Sequence, residues 1–430
     1  MCIRDRYPFV QLHQPSMNYG VNSMPLGQDD RIESRGTDSG FYERASGAEI
    51  CGYYDDVLRH RMLASGRVRF FGMCEYLGDR RFRSLLNGTE TDVTVRRAVV
   101  DATYMETRVP ATDAAPFAVA DGVTCIPVGE LTRRREPAAG YVVIGAGKTG
   151  MDAVCWLLEQ GTPAELITWI RPQDSWMLNR KYFQPAAGVV PTYEGIVLEL
   201  EAFAACDSIA AAFERFEEHE LVFRIDRSVT PGMFKGATSS RGEVEQMRRV
   251  ENVVRLGHVE RIEKDEITLE HGSIPTSGDH VHVHCATPGL RDNPPVAIFT
   301  ESWITLQPIS RISLSLATGL IGFVEASGRT TEEKNRLCPP NPWPQTPYDW
   351  ARHLLIGMQT EAGWLAAPDV QEWVESSRLN LMKGLGEDAE HERVRELQSR
   401  FLDAFGTALA QFDTYTAAAT PAERARIFTG

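Results

Sequence analysis

Tyr141-Val142-Val143-Ile144-Gly145-Ala146-Gly147-Lys148-Thr149-Gly150-Met151-Asp152 is the stretch from which the rest of the chain is read. Its first four residues are apolar and mostly β-branched, which predicts a strand. That strand runs straight into glycines spaced Gly-x-Gly-x-x-Gly. A helix is then expected to Gln160, ended by Gly161 with Pro163 just beyond. Residues 166–170 predict a second strand. Strand, glycine turn, helix and strand together are the arrangement a dinucleotide requires. Gly145 permits the tight turn, Gly147 lets the backbone approach a pyrophosphate, and Gly150 lets helix and strand pack closely. The helix N-terminus offers unpaired N–H groups to phosphate. The candidate cofactor-binding residues are therefore Gly145, Ala146, Gly147, Lys148, Thr149 and Gly150. A glycine-rich turn that holds no ligand is the competing reading. A P-loop is excluded, because it needs a glycine where Val142 stands.

The tip of the second strand separates NAD from NADP. It reads Thr168-Trp169-Ile170-Arg171-Pro172, with no acid to hold a ribose 2′-OH. Arg171 follows the strand directly and suits a 2′-phosphate, so NADPH is the expected cofactor; Asp174 is taken to lie past the tip. The competing reading of Arg171 is a solvated surface arginine.

Working outward, helical patterns fill 195–220 and 242–254, separated by an irregular stretch at 230–238. Residues 259–269 and 279–285 predict strands, and from about 348 onward the chain reads as helical. Upstream, 7–30 is a loop rich in Pro, Gly, Asn and Gln. A helix is expected over 46–63 with Ser46 as its N-cap, and a strand over 67–74. Segments 81–85, 93–97 and 98–103 predict an antiparallel meander around Asn87-Gly88, and 112–137 reads as a connection between domains.

Three blocks carry a resemblance. They are Leu12-His13-Gln14-Pro15-Ser16 with Tyr19-Gly20-Val21-Asn22-Ser23, the glycine block Val143 to Asp152, and Trp169-Ile170-Arg171-Pro172-Gln173-Asp174-Ser175-Trp176. Together they resemble FAD/NAD(P)-binding oxidoreductases related to the flavin-containing monooxygenases. That resemblance implies an α/β fold with two Rossmann-like dinucleotide-binding domains: a discontinuous, incomplete FAD domain, an inserted NADPH domain, and a helical C-terminal segment. The implied boundaries are 7–135 and 291–345 for the FAD domain, 136–290 for the NADPH domain, and 346–430 for the helical segment.

In such flavoproteins an Ala-Thr turn closes the last strand of each domain near the cofactor. Val99-Val100-Asp101-Ala102-Thr103 and Val283-His284-Cys285-Ala286-Thr287 match that pattern, which adds Thr103 and Thr287 as candidates. Two exits but one glycine entrance lead to the expectation that an entrance precedes residue 1. Met1-Cys2-Ile3-Arg4-Asp5-Arg6 has no targeting logic and reads as translated adapter sequence, so the chain is expected to be N-terminally truncated. By the same resemblance, His13, Asn18, Tyr19 and Asn22 sit in a loop near the flavin ring and are the catalytic candidates. A turn built from Asn, Gly and Pro hydrogen bonds is the alternative. Ala317-Thr318-Gly319 opens an apolar helix, and Thr318 is a candidate contact to the flavin. The monooxygenase signature Phe-x-Gly-x-x-x-His is absent, since the region reads Cys125-Ile126-Pro127-Val128-Gly129-Glu130-Leu131. Hydride transfer from NADPH to FAD is expected, and oxygen insertion stays open. An NADP-dependent dehydrogenase without flavin and a non-catalytic dinucleotide sensor are the alternatives.

Composition narrows the partners. The 430 residues are 43% hydrophobic and carry a formal net charge of -14, which disfavours nucleic acid and leaves a small-molecule substrate. The cysteines are scattered without a Cys-x-x-Cys pair. No apolar run is long enough to span a bilayer, so a soluble, cytoplasmic protein without membrane partners is expected. His280, His282 and His284 alternate along one strand face. They are read as a solvent face in preference to a zinc site, and no metal is expected. No Gly-x-Ser-x-Gly elbow supports a hydrolase.

Overall fold

A computed structural model describes residues 7–28, 31–287, 289–290, 292–311, 313–386 and 391–418. The leader at residues 1–6 lies outside the described residues. The chain is mixed α/β, with parallel sheets and helices.

Helix α1 (Gly47–Asp56) begins at Ser46, whose hydroxyl accepts from the Glu49 amide while Glu49 returns to the Ser46 amide. This reciprocal cap satisfies two otherwise orphaned donors. A π-helical turn, Val57–Met62, continues it. Strands β1 (Cys74–Gly78), β2 (Arg81–Ser84) and β3 (Glu90–Asp92) form an antiparallel sheet. The strand expected over 67–74 is not formed, and the third meander strand lies at Glu90–Asp92 instead of 93–97. Asn87-Gly88 does make the turn, with Gly88 at φ +73°. Strand β4 (Val99–Asp101) leaves this sheet, and the stretch 112–137 holds β5 (Ala118–Val119) and β6 (Cys125–Pro127).

Next come β7 (Gly140–Ile144), α2 (Lys148–Glu159), β8 (Ile167–Ile170) and β9 (Met177–Asn179). Helices α3 (Val189–Ala205) and α4 (Ile209–Glu218) lead to β10 (Val222–Phe223), β11 (Thr238–Ser239) and α5 (Arg241–Met247). Strands β12 (Val253–Val254), β13 (Val259–Ile262), β14 (Glu266–Leu269), β15 (Gly272–Pro275) and β16 (His280–His284) follow. The predicted helix over 242–254 is thus half as long, because Val253-Val254 extends as a strand.

A five-stranded sheet runs in the order β12-β8-β7-β16-β6, and every pairing is parallel. Parallel strands covered on both faces read as continuous apolar runs, which is why β7 is Gly-Tyr-Val-Val-Ile. On one face Val143 and Trp169 pack with Met151, Val154 and Leu157 of α2 and Val244 and Met247 of α5. On the other face Val142, Ile144 and Ile170 meet Ile262, Ile267 and Leu269 of the sheet β15-β14-β13-β5. β5 and β6 therefore belong to these two sheets, not to a free connection.

This layering corrects the reading of the histidines. His282 pairs with Val142 and His284 with Ile144, so their side chains share the face covered by the second sheet. They are only 1% and 4% exposed, and do not face solvent. His282 bonds Thr276 Oγ1 at 2.9 Å, and the His284 ring stands edge-on to Phe117 at 5.4 Å. Burial lowers the pKa of both.

Strand β17 (Trp303–Thr305) pairs in parallel with β4. Helices α6 (Leu314–Ala326), α7 (Thr331–Leu337), α8 (Pro347–Leu365), α9 (Pro368–Ser376) and α10 (Glu392–Ala418) complete the chain. A separate aromatic core joins α3, α4, α8 and α10 through Phe203, Phe213, Phe216, Trp350 and Phe412. Among the described residues no helix is long and apolar enough to cross a membrane.

Candidate dinucleotide site

The turn between β7 and α2 is held from three sides. The Gly145 amide donates to Ile170 O at 3.0 Å, the Trp169 indole donates to Gly145 O at 2.9 Å, and the Cys285 amide donates to Ile144 O at 2.9 Å. Gly145 has φ +131°, and a Cβ there would lie 2.9 Å from the Cys285 carbonyl. At Gly150 a Cβ would come within 2.1 Å of Gly145 O. Both positions admit only glycine. Gly147 differs: a Cβ there meets nothing within 4 Å. Space lies open above the residue that N-caps α2, and no side chain caps this helix. The Lys148 ammonium pairs with Asp152 one turn on, and the Tyr7 hydroxyl donates to the other Asp152 oxygen. Both carboxylate oxygens are thereby engaged away from the open amides.

β7, β8 and β12 end on the same edge of the sheet, since Ile144 pairs with Ile170 and Ile170 with Val254. Along that edge the glycine turn is followed by Arg171 and then Arg255. Arg171 is not a surface residue: it is 1% exposed, stacks on Trp169 with its guanidinium carbon 4.9 Å from the ring centroid, and pairs with Asp174. Burial, reinforced by the Arg255 charge, pushes its pKa down to about 10. Its Nη1 is buried with no hydrogen-bond partner. Arg255 donates from Nε to Asp174 Oδ2 at 2.7 Å and from Nη2 to Asp226 Oδ2 at 2.8 Å. Asp174 is therefore at the tip, engaged by two guanidinium groups.

A cavity of about 540 Å³ opens here, lined by Arg171, Arg227, Arg248 and Arg255 with Asp226 and Glu251. Arg248 braces its wall, donating to the Ile225 and Arg224 carbonyls at 2.9 and 2.8 Å. Arg227, Arg248 and Arg255 were not anticipated from the sequence. The usable signal was Val253-Val254-Arg255, which repeats the strand-then-arginine pattern of Ile170-Arg171 but was masked by reading the segment as helix.

The remaining candidates divide. Thr287 follows β16 beside the glycine turn, its amide bonded to Cys285 O at 3.1 Å. Thr103 lies just past β4 of the other parallel pair, its hydroxyl spent on Asp101. Thr318 is exposed and donates to Leu314 O one turn back. The loop from His13 to Asn22 is knitted by its own neighbours. His13 O accepts from Arg180, Asn18 Nδ2 donates to Phe183 O at 3.4 Å, and Asn22 Oδ1 accepts from Ser377. Arg378 gathers the Met17, Tyr19 and Val21 carbonyls, and burial pushes the Tyr19 hydroxyl up to about 12. His13, Asn18, Tyr19 and Asn22 line neither the arginine cavity nor the cavity beside Lys148 and Asp152.

Three uncharacterized mycobacterial proteins, one from Mycobacterium bovis and two from strains of Mycobacterium tuberculosis, are each 42% identical to this chain over 421 residues. The match covers 96% of this chain and 77% of theirs. The chain belongs to this mycobacterial family. No family model matches it.

Proposed function

We propose that this member of the mycobacterial family binds NADP(H) at the carboxyl edge of its five-stranded parallel sheet and acts as an oxidoreductase. The observation that carries the reading is the contrast among the loop glycines: Gly145 and Gly150 are locked by their own backbone, while Gly147 faces open space beside uncapped helix amides. Strand β7 lies between β8, reached directly through α2, and β16, reached only after the chain has run out to β12 and crossed back, so the connections diverge on either side of β7. Ligands of open parallel sheets occupy that crevice, and the order β12-β8-β7-β16 is the one expected of a Rossmann unit. In this placement the pyrophosphate rests on the amides of Lys148 and Thr149. The 2′-phosphate enters the arginine cavity, where Arg171 Nη1 lacks a partner and Arg255 is partly open. Bound NADPH supplies a hydride. The chain's own residues orient it and keep water from the edge of the sheet.

FAD is the acceptor implied by resemblance to the monooxygenase-related flavoproteins. Thr103 and Thr318 do not form a cradle for it: they stand on separate elements, with hydroxyls spent on Asp101 and Leu314. No step is therefore derived through flavin. The deciding measurement is calorimetric titration of NADPH into wild type and Gly147→Val. The expected result is loss of binding with unchanged melting, because a valine side chain fills the space over the turn. Equal affinity in both proteins would make the loop a structural turn.

A further inference from the structure

Residues 58–106 carry four strands, yet none of these forty-nine residues is buried. Phe70, Leu85 and Leu86 are 62%, 59% and 76% exposed, and Phe71, Met73 and Tyr76 are exposed beside them. Elsewhere in the chain residues of these types fill cores. Exposed apolar side chains gathered on one small sheet mark an interaction site, and such a sheet gains independent stability only by burying one face.

The neighbouring pair β4 and β17 poses a second demand. Parallel strands occur in sheets covered on both faces, and among the described residues this sheet has only two. β17 is paired with β4 on one side and bridged to Phe299 through Ile304. Among the described residues β4 is paired with β17 alone, and its central residue, Val100, is 54% exposed. An open strand edge presents N–H and C=O groups that only another polypeptide backbone satisfies in register. A lipid surface offers apolar cover but no such ladder.

We infer that a polypeptide segment adds a strand along the open edge of β4 and lays apolar side chains over Phe70, Phe71, Leu85 and Leu86. We assign that segment to the part of the mycobacterial relatives' chains that lies outside the match. Nearly a quarter of each relative is unmatched, and each relative is longer than the 421 residues aligned. That leaves on the order of a hundred residues, several times the roughly 30 that a strand–helix–strand unit needs. Within the sheet the cross-strand pairs Arg81–Glu90 and Arg83–Glu75 bring opposite charges together, while its apolar side chains stand exposed. The inference rests on the surface and the family, and stands whether or not NADP(H) binds.

The test is hydrogen exchange on two proteins: this 430-residue chain and the full-length Mycobacterium tuberculosis relative. The expected result is fast exchange across 62–104 in this chain and at least hundredfold slower exchange at the aligned positions of the relative. Adding the relative's unmatched segment as a separate polypeptide should slow exchange at Val99–Asp101 of this chain. Fast exchange at the aligned positions in the full-length relative would overturn the inference. So would protection in this chain that grows with its own concentration, which marks a second copy as the occupant. Protection that arises only on phosphatidylserine-containing vesicles would overturn it in favour of a membrane surface.

Discussion

Arg171 and Asp174 form a buried ion pair at the tip of β8, with side chains 2% and 5% exposed. Arg255 reaches the same carboxylate from the end of β12. Two guanidinium groups thus share the Asp174 carboxylate and Arg255 also holds Asp226, so the cationic excess offered to an incoming phosphate comes from Arg227 and Arg248, which line the same cavity. The two arginines are not equivalent. Removing Arg171 strips a buried carboxylate of its nearest cation and is destabilising as well as ligand-weakening. Arg255 is 30% exposed and its loss leaves the Arg171–Asp174 pair intact. Arg255→Ala should weaken NADPH about tenfold, the lower range for a charge-assisted contact of ~1.5–3 kcal/mol, and leave NADH unchanged. Parallel titrations with both cofactors check this. An equal loss for both would mean that Arg255 supports the wall and does not read the phosphate.

The glycine turn was legible because its demands are local: φ at Gly145 and the close approach at Gly150 are written in residue type. The strand edge beyond it was only half legible. The sequence places Arg171 directly after the second strand, where β8 ends, but its burial under Trp169 and its pairing with Asp174 depend on chain that returns more than eighty residues later as Arg255. The same holds for His282 and His284. Alternation says that they share a face, and only the second sheet decides that the face is dry. Short strands such as Val253–Val254 and Cys125–Pro127 carry too few residues for periodicity to declare them. Their pairing with distant strands forms them.

Arg180 gives a stability test. Its side chain is fully buried and joins Asp38, Glu243 at 2.9 Å, Thr238 O at 3.1 Å and His13 O at 3.0 Å. It ties the loop before α1 to α5. Arg44 also contacts Asp38 and Glu243, so both acids keep one cation when Arg180 is lost. Arg180→Ala should cost about 3 kcal/mol, the low end for breaking a buried charge pair. Urea unfolding measures it, and Arg180→Lys should recover part of the loss. A cost below about 1 kcal/mol would show that water replaces the guanidinium without penalty.

His353 predicts a pH dependence. Its ring is fully buried, stacked on Trp350, and Nδ1 must donate to Pro342 O at 3.1 Å because a carbonyl only accepts. Burial holds its pKa down to about 3, with the Arg311 and Arg352 charges acting the same way. The unfolded chain protonates this ring near pH ~6.5 while the folded chain does not. The unfolded state therefore binds more protons between these values, and the stability from His353 is full above pH ~6.5 and lost as pH falls towards 3. Melting temperatures at pH 7.5 and 5.0 should fall more in wild type than in His353→Gln. Equal falls would mean that the ring takes up a proton in the folded state.

Gly147 and Gly150 separate folding from binding within one turn. A methyl group on Gly150 would lie 2.1 Å from the Gly145 carbonyl oxygen, far inside contact distance, and backbone on both sides leaves no flexible end to move. Gly150→Ala should therefore lower the melting temperature by several degrees, as a core clash of about 1–3 kcal/mol does in a domain of this size. A methyl group on Gly147 meets no protein atom, and φ -77° suits any residue. Gly147→Ala should leave melting unchanged, or raise it slightly by restricting the unfolded chain. In the presence of NADPH the order changes. Wild type should gain thermal stability with rising cofactor concentration, because a ligand that binds only the folded state adds RT ln(1 + [L]/Kd). Gly147→Ala should gain less, since its methyl group intrudes on the pyrophosphate position and on nothing else. If both proteins gain equally, the space above Gly147 is not where the phosphates rest, and the cofactor placement along this edge fails.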